Sequence, residues 1–412
     1  MDLFSPLTLP NGQTIKSRIV KAAMEENLSN AELLPDGQLW NLYSAWSGGE
    51  LGAMITGNVM VDHRAMTGPG GVVLETKTDL APFRTWSERA KQHGSKIWMQ
   101  INHPGRQVLR KLGGEVWAPS AIPVDLGKLS HLMGVPREMA KEEILETIER
   151  FGITAMLAEK AGFDGVEIHA AHGYLISQFL SPLVNRRTDE YGGSLENRAK
   201  FLIEVIRSIR KKVSTSFTIG VKLNSADFQK GGFSFEDALQ VIAWIEKEGI
   251  HFIELSGGSY EAPAMQGESK DGSTLAREAY FLEFAKQVQP KCKVPVMVTG
   301  GIKRKEVAEE VLKNGIPMIG IATALAINPH LAKDWRSGIN DKEKNLPKLE
   351  WKSKTFKGLA NMAMVRFQLQ SMAKNKPTDT KISPIWRLVS DQLRLAKLTK
   401  RYQKWMQRTQ NH

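Results

Sequence analysis

The chain has 412 residues, of which 42% are hydrophobic and 24% are charged. These proportions are typical of a soluble globular protein, and the length suits one α/β barrel with an appendage. No stretch approaches the ~18 consecutive apolar residues of a membrane span, and the N-terminus lacks the pattern of a secretory signal, so we expect a cytoplasmic protein. The single cysteine, Cys292, excludes an intrachain disulfide and any iron–sulfur or zinc site with several cysteine ligands.

The net charge of +12 is concentrated at the C-terminal end. Residues 350–412 hold 14 Lys and Arg against three acids, and the rest of the chain is nearly neutral at +1. The basic character therefore belongs to a tail, and it gives no reason to expect that the main body binds nucleic acid.

Short apolar runs alternate with longer amphipathic ones along most of the chain. The runs that predict strands are IVKAAM (19–24), AMITGNVMV (53–61), KIWMQI (96–101), GVEIH (165–169), TIGVKL (218–223), FIELS (252–256), VPVMVTG (294–300) and PMIGIAT (317–323). They are rich in Val, Ile and Met without alternation, as expected for parallel strands that are buried on both faces.

Helical patterns lie between these runs. They cover residues 79–93, 141–161, 195–212, 235–248, 277–289 and 303–314, and Gly162, Gly249 and Gly315 stand where helices would end. Eight strands alternating with helices predict a (β/α)8 TIM barrel, which we place at residues 1–340, followed by a basic helical extension at 341–412. The alternative is a doubly wound open sheet, although no GxGxxG opens the first β–α unit. The Pro-Asn-Gly turn near the N-terminus predicts a hairpin at the bottom of the barrel.

Functional groups of such a barrel gather at the carboxyl ends of its strands. The residues at these ends are Met24 and Glu25, Gly57 and Asn58, Gln100 and His103, His169 and His172, Lys222, Ser256 to Gly258, Gly300 and Gly301, and Ala322 and Thr323. Glycine turns after the last two strands are typical of a phosphate site, because bare backbone N–H groups can approach an anion closely.

The stretch VEIHAAHGYL, residues 166–175, has three interpretations. His169 and His172 could bind a metal, could be satisfied core residues, or could be hydrogen-bond donors to a ligand. No HExxH pattern or acidic cluster accompanies them, which disfavours a metal. Lys222 lies inside a predicted buried strand, and a buried lysine is costly unless it meets an anion or an electron-rich partner, which favours a ligand. The alternative for Lys222 is a side chain that reaches out of the barrel mouth.

These residues resemble the old yellow enzyme family of FMN-dependent NAD(P)H oxidoreductases. The resemblance covers about residues 3–334. It rests on VEIHAAHGYLISQFLSPLVNRRTDEYGGSLENR from residue 166, QINHPGRQ from 100, APSAIP from 118, GVKLNSADF from 220 and VTGGI from 298. The resemblance implies a TIM barrel with FMN as cofactor, NADH or NADPH as hydride donor and a small-molecule substrate.

The resemblance also implies roles for individual residues. Gln100 and Lys222 would bond the pyrimidine edge of the flavin, with Lys222 near N1 and O2. His169 and His172 would bind an oxygen of the substrate and polarise a conjugated C=C toward hydride attack. Tyr174 would donate the proton to the other alkene carbon. The remaining expected cofactor contacts are Ala23, Met24 and Glu25 along the ring, Gly258, and Gly300, Gly301, Ala322 and Thr323 near the phosphate.

Two positions depart from the family pattern. The family usually has an arginine at the end of the eighth strand, where this chain has Ala322 followed by Thr323, and the loss of that cation should weaken FMN binding. Glu25 stands where Thr or Cys is common beside flavin O4. A carboxylate there would lower the flavin potential unless it is protonated or points away.

The expected reaction is therefore reduction of an activated, enone-like alkene by NAD(P)H through FMN. One alternative is a relative acting on dienoyl thioesters or amines without an iron–sulfur cluster. Alternatives from other classes are a metal-dependent barrel hydrolase and a flavin-binding scaffold that docks on a membrane.

The segment 384–408 predicts an amphipathic helix. An apolar stripe is formed by Leu388, Leu395, Leu398, Tyr402 and Trp405, and a basic stripe by Arg394, Lys397, Arg401, Lys404 and Arg408. The first interpretation is a helix that packs on the barrel, or on a partner subunit of a homo-oligomer, with its cationic side in solvent. A membrane-surface helix is the second. Nucleic acid binding lacks any supporting motif.

Overall fold

The computed structural model describes residues 1–262, 278–279, 281–339, 345–351 and 353–410. Within these residues, eight parallel strands form a closed ring. In chain order they are β1 (Ile19–Lys21), β2 (Ala53–Ile55), β3 (Lys96–Asn102), β4 (Gly165–Ala170), β5 (Thr218–Asn224), β6 (Phe252–Ser256), β7 (Val296–Val298) and β8 (Met318–Ile321). Each strand pairs with the next, and β8 pairs with β1. The predicted (β/α)8 barrel is confirmed, and the open-sheet alternative is wrong.

The interior of the barrel is closed at its amino end by an N-terminal hairpin. Leu7–Thr8 pairs antiparallel with Thr14–Ile15, as predicted. Ile15 packs among side chains that point into the ring, and the indole of Trp98 donates to Gln13 Oε1 at 2.9 Å. Trp98 also stacks on Phe252 across the interior, with ring centroids 4.6 Å apart. This end of the barrel is therefore filled, which leaves the carboxyl ends of the strands as the open side.

The predicted strand 53–61 is two strands in the structure. Ala53–Ile55 belongs to the ring, and Val59–Met60 pairs with the end of β3 and with Val72–Val73. Gly57 lies at the break, where a Cβ atom would come within 1.9 Å of a carboxylate oxygen of Glu26. The chain bends here because it passes closely over the end of β1.

Helices surround the barrel. Their bounds are Gly37–Ser47, Ala81–Lys91, Lys141–Lys160, Leu175–Leu180, Leu195–Arg210, Phe235–Lys247, Leu282–Val288, Lys305–Lys313, Thr323–Ile327, Leu331–Arg336, Lys354–Ala373 and Pro384–Gln410. Five predicted helices are confirmed to within two residues at each end. The helix predicted at 277–289 is shorter, at Leu282–Val288, and residues 277 and 280 lie outside the described part. Gly162, Gly249 and Gly315 follow helix ends with φ of 82°, 76° and 84°, a left-handed conformation that suits glycine.

The helix Gly37–Ser47 was not predicted. The preceding Pro-Asp-Gly run is typical of a turn, but Asp36 caps the helix by accepting the amide of Gln38 at 2.9 Å. Short 3-10 turns at Arg110–Leu112, Gly127–Leu132 and Gln289–Lys291 and a small pair, Trp117–Ala118 with Arg137–Glu138, complete the described elements.

The last two helices, Lys354–Ala373 and Pro384–Gln410, pack on each other and on the barrel. Arg366 and Asp391 join them by an ion pair at 2.9 Å. The phenol of Tyr402 is buried and donates to the backbone oxygen of His63 at 2.7 Å. Tyr402 and Trp405 of the predicted apolar stripe pack on the barrel, whereas Leu388 packs against the preceding helix. No helix in the described ranges is long and apolar enough to cross a membrane.

The basic stripe of the last helix does not face solvent along its whole length, contrary to expectation. Arg394 donates to the backbone oxygen of Asn27, and Arg401 donates to that of Ser29 at 2.6 Å. These two arginines thus bond loop carbonyls near the barrel mouth. Lys397, Lys404 and Arg408 are exposed.

Candidate active site

Polar side chains from four neighbouring strands meet inside the open end of the barrel. Strand pairing sets Glu167 beside Gln100, His169 beside Lys222, and Lys222 beside Glu254. Glu167 and His169 are two residues apart on β4, so both side chains point to the same face of the strand. The fold therefore brings together residues that are up to 154 positions apart in the sequence.

Gln100 and Lys222 are both buried and are each held by a carboxyl group. The amide of Gln100 donates to Glu167 Oε2, and the ammonium of Lys222 donates to Glu254 Oε1, both at 2.6 Å. Burial alone would lower the pKa of Lys222, but the charges of Glu254 and Glu167 outweigh it and raise that pKa. Lys222 is therefore a cation, and it does not reach out to solvent.

His169 and His172 are neutral donors or acceptors rather than cations. Burial lowers the pKa of both well below its ordinary value, and the charge of Lys222 lowers it further. Nδ1 of His169 accepts the amide of Ala171 at 3.3 Å, so the hydrogen of the neutral ring resides on Nε2. Nε2 of His172 bonds the hydroxyl of Ser256 at 2.6 Å. His169 thus offers an N–H group, and its ring lies next to that of His172, with centroids 5.0 Å apart.

The metal interpretation of this pair gains no support from the geometry. In the described part of the chain, the group of three His, Cys, Asp or Glu side chains that could share a cation is Asp62, His63 and Glu75, and neither His169 nor His172 belongs to it. The members of this group already have partners. His63 forms a hydrogen bond with Glu75 at 2.8 Å, and Arg64 forms an ion pair with Asp62 at 2.6 Å.

Tyr174 lies against His169, with ring centroids 4.8 Å apart. Its hydroxyl is 3.2 Å from that of Tyr260. Burial, and then the nearby Tyr260 and the charge of Glu25, raise the pKa of Tyr174 well above its ordinary value. The phenol therefore keeps its proton at neutral pH and can donate it to a reacting atom.

Three groups of this site were not predicted from the sequence: Glu167, Glu254 and Tyr260. The two glutamates could have been identified in the same way as Lys222, because each is a charged residue inside an apolar strand. Tyr260 follows the glycine turn after β6, in the run SGGSYE, and only its position beside Tyr174 marks it. Burial raises the pKa of Tyr260 to about 12.

Ala23, Met24 and Glu25 follow β1 and are half-buried at the barrel mouth. Glu25 accepts the hydroxyl of Thr67 at 2.8 Å, and its charge acts on Tyr174. The carboxylate thus faces the same space as the predicted proton donor.

The glycine turns lie at the ends of β6 and β7. Gly258, Gly300 and Gly301 have φ of 85°, 116° and 75°, so each adopts a backbone conformation that side chains disfavour. Ala322 and Thr323 follow β8, the neighbour of β7, and Thr323 is exposed at the start of a short helix. These residues therefore share the barrel end with Gln100 and Lys222.

The donor set fits FMN. An amide and an ammonium group suit the carbonyl and nitrogen acceptors of the pyrimidine ring, the half-buried Ala23 and Met24 offer an apolar surface to the ring system, and the left-handed glycine pair exposes backbone N–H groups for a phosphate. Thr323 is uncharged, so its side chain offers no cation at this end of the barrel.

The chain matches the NADH:flavin oxidoreductase / NADH oxidase family over residues 2–342. It is 39% identical over 371 residues to the NADH-dependent flavin oxidoreductase iliE of Hypocrea jecorina, covering 84% of this chain and 92% of the relative. It is 33% identical over 343 residues to the NADPH dehydrogenase of Bacillus velezensis, covering 82% of this chain and 95% of the relative.

Solved structures share the fold. The complex of 2-naphthoyl-CoA reductase with 2-naphthoyl-CoA superposes with a TM-score of 0.75 at 25% identity, covering 82% of this chain and 52% of that one. The old yellow enzyme homologue from Zymomonas mobilis superposes with a TM-score of 0.71 at 22% identity, covering 84% and 95%. The chain belongs to the NADH:flavin oxidoreductase / NADH oxidase family, the old yellow enzyme family, whose members are oxidoreductases that use FMN with NADH or NADPH as the hydride donor.

Proposed function

We propose that the enzyme reduces the C=C bond of an alkene conjugated to a carbonyl or another electron-withdrawing group. The observation that carries this proposal is the cluster of a neutral His169 and a protonated Tyr174, with ring centroids 4.8 Å apart. An imidazole N–H binds a carbonyl oxygen, and a phenol supplies a proton, which are the two functions that alkene reduction requires beyond a hydride. The alternative of a metal-dependent hydrolase is wrong, because the family is one of oxidoreductases.

Bound FMN supplies the hydride, which it receives from NADH or NADPH. Gln100 and Lys222 would hold the pyrimidine edge of the ring, where the fixed positive charge of Lys222 would favour an electron-rich ring. Ala23, Met24 and Glu25 would lie along the ring, Gly258 would be a further contact, and Gly300, Gly301, Ala322 and Thr323 would face the phosphate.

His169 and His172 bind the substrate oxygen. The N–H of His169 stabilises the negative charge that develops on that oxygen as the β-carbon accepts the hydride. His172 is held by Ser256 and by its own amide, which donates to Asn224 Oδ1 at 3.0 Å. Its backbone is left-handed, with φ of 61°, and this conformation turns the chain so that Tyr174 returns toward His169.

Tyr174 donates the proton to the α-carbon. The hydroxyl of Tyr260 accepts from or donates to the hydroxyl of Tyr174. Tyr260 therefore orients the Tyr174 hydroxyl and offers a route for its reprotonation. Because the pKa of Tyr174 is raised by burial, the proton is present at the start of each turnover.

The test is turnover of defined acceptors by the purified holoenzyme without oxygen. We expect NAD(P)H oxidation with 2-cyclohexenone to yield cyclohexanone in equal amount, and no such reaction with the saturated ketone. Oxidation of NAD(P)H by quinones or oxygen, with no reduction of any conjugated alkene in a panel of enones, maleimides and nitroalkenes, would contradict the proposal.

An α,β-unsaturated thioester is the second candidate substrate. The similar structure of 2-naphthoyl-CoA reductase holds a coenzyme A thioester, and the chain covers about half of that protein. A kcat/KM at least tenfold higher for an enoyl-CoA than for the corresponding simple enone would favour this candidate.

A further inference from the structure

Two buried carboxyl groups, those of Glu167 and Glu254, lie behind the side chains that we place at the flavin. We propose that this acid pair shares one proton while the flavin is oxidised and takes up a second proton from solvent when the flavin is reduced. The proposal rests on the proposed placement of Gln100 and Lys222 at the flavin, and it is independent of the substrate that later re-oxidises the enzyme.

Each member of the acid pair is bonded through one oxygen only. Glu167 accepts from Gln100 through Oε2, and Glu254 accepts from Lys222 through Oε1. Oε1 of Glu167 and Oε2 of Glu254 are buried and lack a partner among the described residues. Both side chains are 0% exposed, so water does not solvate these oxygens. Glu254 acts on Glu167 as a hydrogen-bond partner, so a proton shared by the two acids removes one buried charge and supplies a donor within the pair.

The electrostatics of the pair support a shared proton. Burial raises the pKa of Glu167 well above its ordinary value, and Glu254 raises it further, both as a charge and as a hydrogen-bond partner. Glu167 is thus the member that holds the shared proton, and Glu254 accepts the hydrogen bond of Lys222.

The charged groups around the acid pair come from several elements. The charged ones are Lys21 on β1, Glu26 in the turn after β1 and Lys222 on β5. The neutral rings of His169, on β4, and of His172, just after it, lie near Lys222. Burial lowers the pKa of Lys21 to about 8, so this lysine is still a cation at pH 7. Two cations therefore face three carboxyl groups, and the cluster is neutral when one of the three is protonated. Neutrality is the arrangement that burial penalises least.

Reduction of the flavin disturbs this balance. NAD(P)H delivers a hydride, which adds two electrons and one proton to the ring and leaves one additional negative charge beside Lys222. A solvent proton taken up by the acid pair lets Lys222 compensate that charge, and the cluster is neutral again. The full balance is one hydride and one solvent proton consumed, with both members of the acid pair protonated in the reduced enzyme.

The number of protons is measurable from the flavin midpoint potential. The midpoint potential of a two-electron couple falls by about 30 mV per pH unit for each proton taken up. One pH unit changes the proton concentration tenfold, and a tenfold change in the equilibrium constant of such a couple corresponds to about 29.6 mV. We expect the holoenzyme to show a slope of about 60 mV per pH unit, which corresponds to two protons. The potentials are measured with a chemical reductant and redox dyes over about pH 6 to 7.5, below the titration of Lys21. A slope of about 30 mV in the wild-type protein would overturn the proposal.

Variants locate the second proton. Each single variant, Glu167→Gln and Glu254→Gln, retains one titrating carboxyl group and should keep the two-proton slope. The double variant should show a one-proton slope. Asp227→Asn is the matched control, because Asp227 is a buried carboxyl group bonded to the Ser181 hydroxyl at 2.6 Å and lies outside the pair. A two-proton slope in the folded double variant would place the second proton on the flavin and overturn the proposal.

A second measurement does not depend on the folding of the double variant. In infrared difference spectra of the reduced minus the oxidised holoenzyme, we expect a gain of one protonated carboxyl band, which shifts in D2O and changes in Glu254→Gln. The absence of any carboxyl band in the wild-type difference spectrum would equally overturn the proposal.

Discussion

The hydroxyl groups of Tyr174 and Tyr260 lie 3.2 Å apart, although one tyrosine follows β4 and the other follows β6. The first is the proposed proton donor to the alkene, and the second is the neighbour that orients it. We expect Tyr174→Phe to slow re-oxidation of the reduced enzyme by an enone by about 10²-fold or more, the usual contribution of a general acid. Tyr260→Phe removes one hydrogen bond and should slow it by about tenfold or less.

Stopped-flow measurement of the two half-reactions checks this prediction. Reduction of the flavin by NAD(P)H needs no proton from Tyr174 and serves as the internal control, so its rate should be unchanged in both variants. Equal loss in both half-reactions would show that the phenol shapes the site rather than donates the proton.

Glu25 places a carboxylate at the mouth of the site, where Thr67 donates to it at 2.8 Å. A negative charge near the ring disfavours the electron-rich reduced flavin. Glu25→Gln should therefore raise the midpoint potential by tens of millivolts, since about 1.4 kcal/mol of charge interaction corresponds to about 30 mV for two electrons. Thr67→Val, which leaves the charge in place, is the control. An unchanged potential in Glu25→Gln would mean that the carboxylate does not act on the flavin.

Thr323 occupies the position where the family usually has an arginine, and it is exposed. Thr323→Arg should tighten FMN binding by roughly 10- to 100-fold, since hydrogen bonds to charged groups contribute about 1.5–3 kcal/mol. Quenching of FMN fluorescence by apoprotein measures Kd, and Thr323→Gln separates the effect of charge from that of size. The same Kd in Thr323→Arg and the wild-type protein would show that other groups already neutralise the phosphate.

His103 is buried at the end of β3, and its ring stacks on Trp117 with centroids 5.9 Å apart. Burial lowers its pKa to about 4, against the opposing charge of Asp62. Between pH 6.5 and 4 the unfolded chain therefore binds a proton that the folded chain does not, and stability falls as pH falls. From pH 7 to pH 5 the wild-type protein should lose about 2 kcal/mol more free energy of unfolding than His103→Gln. Urea denaturation at both pH values measures this difference, with exposed His131→Gln as the control; parallel losses in the wild-type protein and His103→Gln would contradict it.

Tyr402 anchors the last helix to the barrel with a ring that is 1% exposed. Tyr402→Ala should lower the free energy of unfolding by about 3 kcal/mol, and Tyr402→Phe by about 1 kcal/mol through loss of the bond to His63. The exposed Lys404→Ala should change it by less than about 0.5 kcal/mol. Thermal unfolding of the three variants tests the ranking, and a helix that packs only weakly on the barrel would give three similar melting temperatures.

The barrel was predictable because each strand is a run of apolar residues buried on both faces, which the sequence displays directly. Gln100, Lys222 and the two histidines were also predictable, since they stand at strand ends. The carboxyl partners of Gln100 and Lys222 were not predictable. Strand register places Glu167 beside Gln100 and Glu254 beside Lys222, and the sequence does not show this register.

Tertiary contacts also decide the features that the sequence pattern misses. The strand at 53–61 breaks where Gly57 passes the carboxylate of Glu26, a contact between separate loops. Arg394 and Arg401 continue a basic stripe on a helical wheel, yet both bond carbonyls of the loop after β1. Helical periodicity identifies the helix face on which a residue lies, but not the groups that its side chain contacts there.

In the proposed reaction, a hydride reaches the β-carbon of an activated alkene while a proton from the protein reaches the α-carbon. The most direct measurement is reduction of 2-cyclohexenone in D2O with unlabelled NAD(P)H under anaerobic conditions, followed by mass and NMR analysis of the product. We expect cyclohexanone with hydrogen from NAD(P)H at the β-carbon and deuterium from solvent at the α-carbon, at a rate that falls in Tyr174→Phe. Recovery of unreduced enone from a flavin-loaded enzyme that oxidises NAD(P)H only when oxygen is admitted would contradict it.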